Sequence, residues 1–152
     1  MDANKIVPCL WFHTENGNIT IVTEYYNTIF AENFQVGPII PLGNTPSGKT
    51  EMCQVYIFEK KYNLMSTATE HNVFNDALAF AINCADQIEI DKYWNYFTRE
   101  GKEVQCGWCI DKFGLRWQIL PENLVPTIEG FPVLTESSKL KTLPMYGSPA
   151  YP

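Results

Sequence analysis

Val22, Tyr25, Tyr26 and Ile29, in the stretch Ile21-Val22-Thr23-Glu24-Tyr25-Tyr26-Asn27-Thr28-Ile29-Phe30, have counterparts in Ile90, Tyr93, Trp94 and Phe97. The offset is a constant 68 residues (94 − 26). Steps of three and four residues put each set on one side of a helix, which then packs against a sheet. Asn18, at the end of the polar run His13-Thr14-Glu15-Asn16-Gly17-Asn18, is a start signal for a first helix over 19–30; Gly101 ends the second. Two similar helices at a fixed spacing point to an internal repeat, and the strands around them decide what is repeated.

Working outward, residues 6–12 read as a strand before the first helix. Residues 34–40, 52–58 and 63–67 read as strands after it, with a Gly/Pro/Ser/Thr-rich connection over 41–50 and a turn at Lys60-Lys61. The second half begins with a strand over 78–84. After its helix come strand candidates over 103–105, 108–110 and 115–120, the last two joined by Asp111-Lys112-Phe113-Gly114. Each half therefore reads β-α-β-β-β. The predicted fold class is α+β, with two tandem βαβββ modules over about 5–70 and 75–121, within one domain covering 1–124. The alternative is an unduplicated α+β domain whose two helices share only the common amphipathic pattern. Six of the ten prolines fall in the last 32 residues, so 125–152 reads as a Pro-rich tail without a sustained helical or strand period.

The chain has 152 residues, of which 45% are hydrophobic, 14% aromatic and 18% charged, which is ample for one packed core. A net charge of −6 opposes a broad grip on phosphate backbones or anionic bilayers, so neither nucleic acid nor a membrane is expected as a partner. No apolar run approaches the roughly 20 residues that span a bilayer, and the start, Met1-Asp2-Ala3-Asn4-Lys5, lacks the pattern of a signal peptide. Five cysteines, an odd number, are expected to be reduced thiols of a cytoplasmic protein.

Four motifs compete for chemistry. Gly43-Asn44-Thr45-Pro46-Ser47-Gly48-Lys49-Thr50 matches the letters of a phosphate-binding loop, and the run ending at Asp86 could supply its partner strand. A strand-like run follows Thr50 where a helix should open, so a connection between strands is the preferred reading. Cys106-Gly107-Trp108-Cys109 has redox or zinc spacing but no second pair, and in an extended segment the two thiols project to opposite faces. His13 and His71, both in predicted loops, are too few for a mononuclear imidazole site. No Gly-x-Ser-x-Gly accompanies a Ser-His-Asp arrangement.

Pro8-Cys9-Leu10-Trp11-Phe12, Tyr25-Tyr26-Asn27-Thr28-Ile29-Phe30, Asp91-Lys92-Tyr93-Trp94 and the run from Cys106 to Pro121 together resemble a known family. It is the PhnB-like, 3-demethylubiquinone-9 3-methyltransferase-like branch of the glyoxalase/bleomycin resistance/dioxygenase (vicinal oxygen chelate) superfamily. The resemblance covers about 5–124. It implies two βαβββ modules curled into a half-open barrel around a cavity, and a homodimer. In metal-dependent members, ligands sit on the first and last strands of each module. Those positions fall here at Pro8, Ala77, Gln118 and the run Leu64-Met65-Ser66-Thr67. Pro8 and Ala77 have no side-chain donor and Gln118 only a neutral oxygen, so no metal and no other cofactor is expected. No glycine-rich turn for an adenosyl cofactor supports methyl transfer.

The expectation is then a protein that binds a small organic ligand in its cavity, an anion on one reading of Arg116. Arg116, Gln118, Ser66, Leu10 and Ala79 are the candidate lining residues. Arg116 has two readings, as an anion-binding guanidinium or as the partner of a surface acid. Two alternatives stand beside this. One is a metal-dependent glyoxalase-like lyase or isomerase whose ligands come from Glu51, Glu59, Glu103 or His71. The other is a dimeric interaction module that uses its dimer surface and tail.

Overall fold

The computed structural model of the chain describes residues 5–70, 73–122 and 124. His71 and the Pro-rich tail named above lie outside them. The chain divides between residues 73 and 74 into two compact units. Each has β-α-β-β-β order, mixing α and β as expected.

In the first unit β1 (Cys9–His13) leads through a short turn into α1 (Thr20–Phe30). The backbone N–H of Thr20 donates to Asn18 Oδ1 at 2.9 Å and that of Ile19 to Glu51 Oε2 at 3.0 Å, so two otherwise unpaired donors of the first turn find acceptors. The chain continues through β2 (Phe34–Val36), β3 (Ile40–Thr45), β4 (Gly48–Ile57) and β5 (Lys60–Thr67). The sheet order is β1-β5-β4-β2, with β3 also on β4 and β1 parallel to β5. The module's second strand is therefore split into β2 and β3 by Gly37-Pro38-Ile39, where proline has no N–H to offer the ladder.

Two sequence expectations are corrected here. Residues 41–50 are not a loose connection but most of the β3–β4 hairpin, closed at Pro46-Ser47. Thr45 Oγ1 organises its tip: it accepts from Ser47 N at 3.1 Å, donates to Gly48 O at 3.1 Å and lies 2.9 Å from Thr50 Oγ1. The turn expected at Lys60-Lys61 falls at Phe58-Glu59, both at positive φ (48° and 64°), as a tight two-residue hairpin requires. Phenylalanine is an unusual occupant there, and its ring packs edge-on against Phe30 at 5.8 Å.

The second unit comprises β6 (Ala79–Cys84), α2 (Gln87–Arg99), β7 (Lys102–Glu103), β8 (Trp108–Ile110) and β9 (Arg116–Pro121). Its order, β6-β9-β8-β7 with β6 parallel to β9, repeats that of the first unit. Asp86 caps α2 by accepting from Glu89 N at 2.9 Å, while Glu89 Oε2 accepts from Ala85 N at 2.8 Å.

The repeated apolar positions are the buried faces of the helices: Val22, Tyr25, Tyr26 and Ile29 on α1, and Ile90, Tyr93, Trp94 and Phe97 on α2. Beneath α1 lie Leu10, Phe12, Cys53, Val55 and Leu64, all buried, with the Phe12 and Tyr26 rings 6.0 Å apart. Beneath α2, Phe97 stacks on Trp117 at 4.6 Å.

Candidate functional site

With each sheet covered on one side by its helix, side-chain alternation assigns the other side. On β9, Trp117 and Ile119 are buried beneath α2, while Arg116 and Gln118 are half-buried on the opposite face. Register brings Ala79 beside Arg116 and Ala81 beside Gln118 on one flank. On the other, Ile110 lies beside Arg116 and Trp108 beside Gln118. The second unit thus presents a cation and a carboxamide between two alanines and two larger apolar side chains.

Arg116 is held at two points. Nε donates to Asp76 Oδ1 at 2.8 Å and Nη1 to the carbonyl oxygen of Gly114. The two partners differ in exposure: the arginine side chain is 18% exposed, the aspartate 84%. The side-chain amide of Gln118 makes no hydrogen bond to another described residue.

In the first unit the alternation runs one residue out of step with the sequence expectation. Leu10 and Ser66 are on the side of the sheet packed by α1, where Leu10 is in register with Leu64 and Ser66 with Phe12. The Ser66 hydroxyl is bonded to that of Thr14 and is fully buried, so neither residue lines an open face. The residues that do are Trp11, Met65 and Met52, in register across β1, β5 and β4. Trp11 is 39% exposed, and its Nε1 donates to Thr67 Oγ1 at 3.0 Å. Sequence reasoning missed them because β1 is apolar on both faces, and hydrophobicity alone cannot choose between Leu10-Phe12 and Cys9-Trp11.

The ligand positions that the resemblance implies fall on backbone and core groups in three cases. The Pro8 carbonyl accepts from Asn63 N at 2.9 Å, Ala77 has no donor, and Leu64 belongs to the core. Among the described residues no three His, Cys, Asp or Glu side chains gather closely enough to hold an ion. Of the alternative ligands, Glu51 accepts from Ile19 N and lies 3.4 Å from Lys49 Nζ, and Glu59 sits in the β4–β5 turn. Glu103 is on exposed β7 of the other unit.

The remaining motifs resolve as structure. Lys49 and Thr50 lie within β4, with no helix opening on them, so the phosphate-loop letters form a hairpin. Asp86 is a helix cap. Cys106 is exposed in the β7–β8 turn at φ 59°, whereas Cys109 is buried; burial, with Asp111 and Glu103 adding, pushes its thiol up to about 12. Asp111 joins the buried polar residues that the sequence did not flag. Its Oδ1 accepts from Phe113 N and Leu115 N, and its Oδ2 accepts from Trp117 Nε1 at 2.8 Å.

Known proteins agree with this architecture. Residues 4–120 match the family model described as 3-demethylubiquinone-9 3-methyltransferase. A Bacillus cereus PhnB protein described in the same terms superposes with a TM-score of 0.63 at 20% identity, over 77% of this chain and 98% of its own. A Pseudomonas aeruginosa protein does so with 0.56 at 18% identity, over 77% and 96%. The fosfomycin resistance protein FosX of Listeria monocytogenes gives 0.51 at 15% identity, over 80% and 93%. At these identities the likeness speaks for the fold, that of the vicinal oxygen chelate superfamily. No curated protein matches the sequence. The matched model spans most of the chain and coincides with the paired βαβββ units: the protein belongs to the 3-demethylubiquinone-9 3-methyltransferase-like (PhnB-like) family.

Proposed function

We propose that the protein binds a small organic anion on the open face of its second unit, through Arg116 and Gln118, without a divalent metal. The observation that carries this reading is a half-buried guanidinium flanked by Ala79 and by the unbonded amide of Gln118. Small neighbours leave room for a ligand, and a planar fork of donors suits a carboxylate or phosphonate. FosX of Listeria monocytogenes was crystallised with Mn(II) and a dihydroxypropylphosphonic acid. The resemblance places two of the superfamily's ligand positions at Pro8 and Ala77, which have no side-chain donor, so on this reading the protein's own cation takes over the part of charge partner. Methyl transfer is not part of the proposal.

Two further features belong to it. The protein works as a homodimer, a reading favoured by the exposed Val36, Ile40 and Leu42 along β2 and β3. It resides in the cytoplasm, in keeping with five free cysteines, three of them buried.

Titration with phenylphosphonate, followed by backbone amide shifts, tests the site. Arg116→Gln is expected to weaken binding at least tenfold, since a charge-assisted bond contributes about 1.5–3 kcal/mol. Exhaustive chelation is expected to leave the affinity unchanged. Equal binding by the variant, or a stoichiometric divalent ion whose removal abolishes binding, overturns the reading.

A further inference from the structure

Arg116 already has an anion on it. Asp76 precedes β6 in a short loop ordered by its neighbour, Asn75 Oδ1 accepting from Ala77 N at 2.9 Å. Its carboxylate reaches Arg116 Nε at 2.8 Å through one oxygen. The pair is unequal. Arg116 is 18% exposed and fixed a second time by the Gly114 carbonyl, so it cannot turn into water without giving up that bond. Asp76 is 84% exposed and has no other side-chain partner among the described residues, so water can solvate it at little cost. An ion pair with one exposed, singly bonded member is weak and readily exchanged.

We propose that Asp76 is an internal competitor for the anion subsite: a specificity residue that sits on Arg116 until a ligand carboxylate or phosphonate displaces it. The inference rests on the anion-binding reading above and adds what that reading lacks, a residue that sets the affinity threshold. An arriving anion takes over Nε, using two oxygens where Asp76 uses one, while Asp76 swings into solvent. A neutral ligand of the same shape leaves the Arg116–Asp76 pair in place. Selection therefore depends on charge: Asp76 screens Arg116 from weak or monodentate anions and yields to bidentate ones.

The test compares full-length wild type, Asp76→Asn, Asp76→Glu and Arg116→Gln, titrated with phenylphosphonate and with the neutral benzamide. Removing the competing charge is expected to tighten phenylphosphonate by roughly 1.5- to fivefold, the range of an ion pair with one exposed member. Benzamide affinity is expected not to move, and Asp76→Glu to stay near wild type. If Asp76→Asn leaves phenylphosphonate affinity unchanged while Arg116→Gln weakens it, the competitor role is wrong and the anion site stands. If Arg116→Gln has no effect either, both fall. Looser binding by Asp76→Asn also overturns the proposal, because it makes Asp76 a support for Arg116 rather than its rival.

Discussion

Asp111 shows how much one residue can hold. Its carboxylate, itself buried, takes two backbone N–H groups of the β8–β9 turn and the indole N–H of Trp117, and the bonds from Leu115 and Trp117 are out of water. Trp117 is also the ring on which Phe97 of α2 stacks. Turn, strand and helix therefore meet at one side chain. Asp111→Ala orphans two buried donors and a part-buried one, and a loss of about 3 kcal/mol in urea denaturation is expected. Asp111→Asn keeps the turn contacts but sets an amide N–H₂ or a single oxygen where two acceptors are needed, so it is expected to recover only part of the loss.

The cysteines divide as sharply. Cys9 and Cys106 are exposed; Cys53, Cys84 and Cys109 are buried. Burial lifts the Cys53 thiol to about 11 and, with nearby carboxylates contributing, Cys84 and Cys109 to about 12. A colorimetric thiol reagent at pH 8 is expected to label two cysteines in the native protein and all five in denaturant. Rapid labelling of a third native thiol would contradict the burial.

At the scale of elements, the approach of α2 to the β8 end of its sheet turns on Gly101. A side-chain carbon there would lie 1.9 Å from the Ile110 carbonyl oxygen and 2.5 Å from that of Phe97, both backbone atoms that cannot step aside. Gly17, at φ +64°, is packed as tightly against the Lys49 carbonyl in the first unit, at 2.1 Å. Gly101→Ala and Gly17→Ala are each expected to cost more than about 2 kcal/mol in chemical denaturation, against about 1 kcal/mol for removing the α2 cap with Asp86→Ala. The helices were legible from sequence because their signal, four large apolar residues at steps of three and four, is local and repeated at 68 residues. The hairpins were less so. Phe58-Glu59 carries none of the Asn-Gly or Gly-Gly chemistry that announces a tight turn, and its positive φ angles are imposed by the pairing of Ile57 with Lys60.

For the whole molecule, the buried thiols set a pH limit. Their folded-state values lie above the ordinary 9.0, so at alkaline pH the folded chain keeps protons that the unfolded chain releases. Stability from this source is complete below pH 9 and is lost as pH rises toward 11–12. Melting temperatures recorded from pH 7.5 to 10.5 are expected to stay level up to about 9 and then fall. Replacing Cys109 by Ala is expected to lower the plateau and flatten the fall.

The sequence by itself determined the class of the molecule: the duplicated βαβββ order, the buried faces of both helices and the family. These follow from local periodicity and residue chemistry, which need no partner to be read. Only the tertiary structure decided which side of each strand is covered. Alternation defines two faces without saying which one meets the helix, and on β1 both are apolar. Packing by α1 took Leu10 and Ser66 into the core and left Trp11 and Met65 outside, while strand pairing put Ala79 beside Arg116. The contact between Arg116 and Asp76 spans 40 residues of chain, and the register of β6 with β9 makes it possible.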